Sequence, residues 1–189
     1  KVNVSTSESA DHPGDNLTIY PKSMYNIEEV ELEINSILKS FFEHVIIIPD
    51  QIVTDSLFES IKPAIIGELN NALNTIYVCV AWFTDDELRD VLENKRRLGV
   101  DVKVITFKDG VNGKHGVDFG EIPHKEIRGS RHGIMHRKYC VIDNHVVISG
   151  SYNWTDNAAE RNDENILIVK DWKTANQHTR EFLDEWRNY

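Results

Sequence analysis

Apolar residues are laid out along this chain in two alternating periods. Ile76-Tyr-Val-Cys-Val-Ala-Trp82 carries no charge and is rich in β-branched residues, which predicts a buried strand. Asp85 follows as a helix cap, and the helix it opens runs to about Arg97, where Gly99 ends it. Val100, Val102 and Val104 then alternate, giving a second strand to Ile105. Arg137–Ile142 and His145–Ser149 read as strands joined by an Asp143-Asn144 turn, Glu164–Val169 as another strand, and Trp172–Tyr189 as a helix. Asp55 to about Asn74 reads as helical, bent near Pro63. Residues 107–134, rich in glycine and charge, read as a long loop region. Strands alternating with helices predict an α/β fold, a layered mixed sheet flanked by helices.

The N-terminal third has a different character. Lys1 to about Asn16 is rich in Ser, Asp and Glu and contains Pro13-Gly14, the composition of a flexible tail or linker. Ile27, Val30, Ile34, Ile37, Leu38, Phe41 and Phe42 form a helical stripe with Glu28, Glu29, Glu31 and Glu33 largely outside it. Val45–Ile48, before Pro49, reads as a short buried strand. The expected organisation is a tail over 1–16, an extension with an amphipathic helix over 17–54, and one catalytic domain over 55–189. The chain begins at Lys1 rather than Met, so it is expected to be part of a larger chain with further domains.

Charge changes the picture more than composition does. The net charge of −10 argues against a protein that coats nucleic acid indiscriminately. Residues 95–138, however, carry 11 basic against 5 acidic groups, a local excess of +6. A basic segment of this kind is the expected footprint of an anionic substrate, although a solvated loop would give the same count. No apolar run approaches the ~20 residues needed to cross a bilayer, so no integral membrane segment is expected. Cys79 and Cys140 both lie in apolar strands, as reduced core cysteines do, which points to a cytoplasmic setting.

The basic segment leads into His136-x-Lys138-x4-Asp143-x6-Gly150-Ser151-x-Asn153. At roughly 5% usage per residue type, so many fixed offsets arise by chance far less than about once in a thousand such chains. On a strand, residues i and i+2 share a face, so His136 and Lys138 project together and Arg137 opposes them. A neutral imidazole can attack phosphorus and form a phosphohistidine. The Lys138 ammonium can hold the non-bridging oxygens through the transition state. Ser151 and Asn153, again i and i+2, can donate hydrogen bonds to the same oxygens, and Gly150 allows the backbone close to the phosphate. Asp143 is expected to fix the turn or orient a neighbour. No metal is expected, because cationic side chains flank the histidine and no second His or carboxylate stands at a clear ligand spacing.

The segment from about Ile61 to the C-terminus resembles the phospholipase D superfamily, whose signature is this His-Lys-Asp pattern, and its nuclease branch in particular. The resemblance implies that His136 is the nucleophile and that Lys138 and Asn153 bind phosphate. Asp163-Glu164-Asn165-Ile-Leu-Ile168 is similar to the nuclease branch after its Gly-Ser-x-Asn, which implies that Glu164 holds His136 by hydrogen bonding. Superfamily sites pair two such motifs. This chain has one, which implies a homodimer with the site on its two-fold axis. The two histidines would then titrate as a coupled pair.

The expected function is a metal-independent nuclease acting on DNA or RNA. Lys125, Arg128, Arg131 and His132 would steer phosphates, and Trp154 and Phe83 would stack on bases unless they pack in the core. The competing expectations are a phospholipid phosphodiesterase and a non-catalytic dimerisation or docking module. The acidic polar face of the 27–42 stripe disfavours an anionic membrane, and intact His136, Lys138, Asn153 and Glu164 disfavour the docking module.

Overall fold

The computed structural model of the protein describes residues 52–131 and 133–189. The predicted tail to Asn16, the helix over 27–42, the strand Val45–Ile48 and His132 lie outside the described residues.

The apolar run after Asn74 forms β2 (Thr75–Val80), and the alternating valines form β3 (Asp101–Phe107). They pair in parallel, Thr75 opposite Asp101 and Val80 opposite Thr106. Between them lies α2 (Asp86–Arg97), whose N-cap Asp85 accepts a hydrogen bond from the Leu88 amide, as its position in the sequence predicts. Gly99 takes φ +95, a conformation that glycine adopts without strain, and stops the helix. On the other side of β2, β5 (Lys138–Ile142) and β6 (Val146–Gly150) make an antiparallel hairpin. The three-residue connection Asp143–His145 turns it, with Asp143 and Asn144 at φ 52 and 50, a left-handed conformation that Asp and Asn tolerate, and with the His145 amide donating to the Ile142 carbonyl at 3.0 Å.

With β1 (Val53–Leu57), β4 (His124–Ile127) and β7 (Ile166–Lys170), these strands form one mixed sheet in the order β1-β7-β6-β5-β2-β3-β4. Its helices are α1 (Ile61–Asn71), α2, α3 (Gly110–His115), α4 (Asp156–Glu160) and α5 (Trp172–Asn188). Strand alternation sorts the core into two clusters. Ile76, Val78, Val80, Val102 and Val104 pack with Ile65 and Leu69 of α1 and Leu88 and Leu92 of α2. Tyr77, Cys79, Ile105, Tyr139 and Val141 pack with Ala175 and Phe182 of α5. This is the α/β layered architecture that the sequence predicts. Both cysteines are buried and unpaired. Among the described residues no helix is long and apolar enough to cross a membrane.

Two predicted elements differ. The stretch read as helix from Asp55 begins as strand β1, and Ser60 at φ 52 separates it from α1. Residues 53–56 are exposed, so β1 shows no burial alternation, and it is held by its antiparallel ladder to β7. Pro63 falls in the first turn of α1, where its missing N–H has no intrahelical partner to lose, so it does not divide the helix. The region read as a loop over 107–134 contains α3 and β4, the latter adding His124–Ile127 beside Val104–Phe107.

Candidate active site

Antiparallel pairing brings four strand ends to one edge of the sheet. Val80 at the end of β2 lies opposite Lys138 at the start of β5, and Gly150 at the end of β6 lies opposite Ile166 at the start of β7. His136, Lys138, Ser151, Asn153 and Glu164 all belong to these ends or to the residues just beyond them.

Trp82, two residues past β2, lies at the centre of the group. Its ring meets the His136 imidazole edge-on, with centroids 5.7 Å apart, and the Lys138 Nζ lies 5.8 Å from the ring centroid. Its backbone N–H donates to Asn153 Oδ1 at 3.3 Å, which fixes that side chain. The indole Nε1–H donates to Asp109 Oδ2 at 2.8 Å, while Asp109 Oδ1 caps α3 through the amides of Val111 and Asn112. Sequence reasoning missed both Trp82 and Asp109. The available signal was an indole at the end of an apolar strand, since such an N–H needs a partner when half-buried.

Lys138 Nζ also donates to the His136 carbonyl at 3.0 Å. Burial pushes its ammonium below the usual lysine value, and the Glu164 carboxylate opposes that shift. Arg137 instead pairs with Glu181 at 2.8 Å and Glu185 at 3.0 Å on α5, while its backbone neighbours His136 and Lys138 meet Trp82. His136 itself is exposed. A cleft of about 460 Å³ lined by His136, Lys138, Tyr139, Gly150, His178 and Glu181 opens beside it.

Glu164 does not reach His136 within this chain. Its carboxylate accepts from Ser151 Oγ and, at 3.0 Å, from Asn162 Nδ2, while the Asn165 amide donates to Ser151 Oγ at 3.1 Å. Ser151 and Glu164 thus clamp the β6–β7 end together. Gly150 serves the same junction: a Cβ there would lie 2.1 Å from the Asn165 carbonyl oxygen, so the close approach is to backbone of the neighbouring strand rather than to a phosphate.

Other predicted site residues stand elsewhere. Asp143 is at the opposite end of β5, about 17 Å from Lys138 at ~3.4 Å per residue. It accepts from the amides of Leu73, Asn74 and Thr75 and is a structural residue. Phe83 and Trp154 are 0% and 2% exposed and pack edge-on against each other, so neither is available to a base. Their apolar rings belong to the core, as their flanking sequence equally allowed. Lys125 donates to the Trp186 carbonyl at 2.6 Å and lies over that indole, bound to α5 rather than free for phosphate. Arg128 and Arg131 are exposed.

Residues 65–186 match the family described as cardiolipin synthase, PLD-like domain. The chain belongs to the phospholipase D-like family. It is 34% identical over 140 residues to a mitochondrial cardiolipin hydrolase of Xenopus laevis, covering 72% of this chain and 64% of that protein. The human mitochondrial cardiolipin hydrolase is 31% identical over 132 residues, covering 68% and 50%. The chain therefore spans between half and two thirds of the length of these phospholipase D-like relatives. Among solved structures it is similar to Nuc from Salmonella typhimurium, a phospholipase D family member, with TM-score 0.65 and 23% identity over 72% of this chain and 94% of that one. NucT from Helicobacter pylori aligns with TM-score 0.60 and 19% identity, covering 71% and 95%. These two show the phospholipase D-like fold.

Proposed function

We propose that this chain is a metal-independent phosphodiesterase, a nuclease that cleaves DNA or RNA through a phosphohistidine on His136. The observation that carries the reading is the gathering of His136, Lys138 and Asn153 around Trp82, the first two at its ring and the third at its backbone N–H. In the first step an imidazole nitrogen attacks phosphorus, the P–O bond to the leaving oxygen breaks, and that oxygen takes up a proton. Water then displaces the histidine and restores it. Lys138 and Asn153 hold the non-bridging oxygens in both steps. The proton must come from an acid, and a second copy of the chain would supply it from its own His136, giving a homodimeric site. The exposure of His136 leaves room for such a partner.

A second reading is cleavage of a phospholipid diester. It is favoured by the relatives named mitochondrial cardiolipin hydrolase. The two readings share His136 and differ only in what the phosphate carries.

Labelled single- and double-stranded DNA and RNA, and cardiolipin vesicles, should be offered to wild type and His136→Ala in excess EDTA. Cleavage of a nucleic acid by wild type alone is expected. Equal activity of His136→Ala would remove the nucleophile assignment, and cleavage of vesicles alone would favour the lipid reading. Sedimentation of the active species should give a dimer. An active monomer would make His178, which lines the same cleft, the first residue to test as acid.

A further inference from the structure

We infer that a second cavity, which Trp82 also lines, is the subsite for the base of the nucleotide whose phosphate is attacked. This rests on the reading of His136 as a phosphodiesterase centre. The cavity measures about 570 Å³, within the usual range of ligand sites. It shares Trp82 and Asn153 with the catalytic group and is completed by Thr84, His115, Asn157 and Asn162 among others. Trp82 thus joins the two: His136 and Lys138 lie against its ring, and the same residue lines the cavity.

The lining chemistry separates the candidate occupants. An acyl chain or glycerol backbone needs apolar walls, and beyond the indole this cavity offers only Val111 as a large aliphatic side chain. A base needs a flat aromatic surface and groups that both donate and accept along its edge. Trp82 supplies the surface, and its Nε1 bond to Asp109 holds the ring in place before substrate arrives. The Asn157 and Asn162 amides supply donors and acceptors. Asn157 is exposed and makes no side-chain hydrogen bond among the described residues. Asn162 uses its Nδ2 on Glu164 and keeps its carbonyl oxygen. The two amides are uncharged and the lining also carries the Asp156 carboxylate, which suits the donor edge of a base and repels a phosphate.

The test uses two oligonucleotides that differ at one position, a normal nucleotide or an abasic tetrahydrofuran beside the cleaved linkage. Wild type should cleave the base-bearing linkage with kcat/KM roughly tenfold or more above the abasic one, the scale of one stacked base. Asn157→Ala and Trp82→Leu should each narrow that ratio, mainly through KM. Asn157 is exposed, so its variant keeps the test valid if Trp82→Leu folds poorly. Equal wild-type rates on the two substrates, or a ratio unmoved by Asn157→Ala, would overturn the subsite. If wild type cleaves only cardiolipin vesicles and His136→Ala does not, the base subsite fails while the phosphodiesterase reading stands. Activity in His136→Ala on every substrate would instead remove the reading on which the subsite rests.

Discussion

Gly150→Ala tests the link between sheet geometry and the site. Gly150 pairs with Ile166, and an added Cβ would lie 2.1 Å from the Asn165 carbonyl oxygen and 2.8 Å from the Ile166 Cα. Ordinary contact begins near 3.4 Å, so the two strands must separate by about 1.3 Å (3.4 − 2.1). The atoms in the way are backbone and cannot swing aside. The Ser151 amide now donates to Asn165 O at 3.0 Å, and the Asn165 amide to Ser151 Oγ at 3.1 Å. Separation on that scale breaks both. Two hydrogen bonds at about 1 kcal/mol each, with overpacking of about 1–3 kcal/mol, give a loss of roughly 3–5 kcal/mol. At about 2–4 °C per kcal/mol the melting temperature should fall by roughly 6–20 °C. The Ser151–Glu164 clamp moves with the strands, and a shift of about 1 Å in site geometry costs ~100-fold in turnover. Gly67 is the control: it lies in α1 with nothing within 4 Å of its added Cβ, so Gly67→Ala should stabilise by about 0.5–1 kcal/mol. Urea and thermal denaturation, with turnover per folded molecule, read all of this. A Gly150→Ala protein that melts within about a degree of wild type and turns over normally would refute the reasoning.

Asp143→Ala removes the acceptor of three backbone amides and should cost about 2–3 kcal/mol in urea denaturation while turnover per folded molecule stays near wild type; lost turnover at unchanged stability would return Asp143 to the site. Phe83→Ala should cost about 3–5 kcal/mol, because the ring is fully buried between Phe119 and Trp154; a stable variant that only binds nucleic acid less well would contradict its place in the core. Burial holds His124 down to about 4 against its ordinary 6.5. Below pH 6.5 the unfolded chain therefore takes up a proton that the folded chain refuses until near pH 4, and stability should fall over that window by about 2 kcal/mol, allowing for partial exposure of the ring. Wild type should show this decline in melting temperature between pH 7 and 4, and His124→Gln should show less of it; identical profiles would exclude His124 as its source.

Those outcomes bear on how far the sequence could be read. The uninterrupted apolar strand β2, the Asp85 cap, the stop at Gly99 and the Asp143-Asn144 hairpin were legible because each has a local physical cause. The gathering of His136, Lys138 and Asn153 was legible because strand alternation and hairpin pairing carry residues far apart in sequence to one sheet edge. β1 was not, since an exposed edge strand is specified by its partner β7 rather than by its own pattern. β4 is only four residues long and borrows its register from β3. Phe83 was read as a substrate residue and Trp82 was missed for a related reason. Adjacent residues leave a strand end on opposite sides, and only the tertiary fold decides which ring is enclosed and which one meets the histidine.

The most direct test of the account is the stereochemistry of cleavage. An oligonucleotide with one chiral phosphorothioate linkage, cut in ¹⁸O-water with EDTA present, reports whether phosphorus is displaced once or twice. Attack by His136 followed by attack by water inverts phosphorus at each step, so the account predicts net retention. Net inversion would mean that water attacks directly, and would contradict a phosphohistidine on His136.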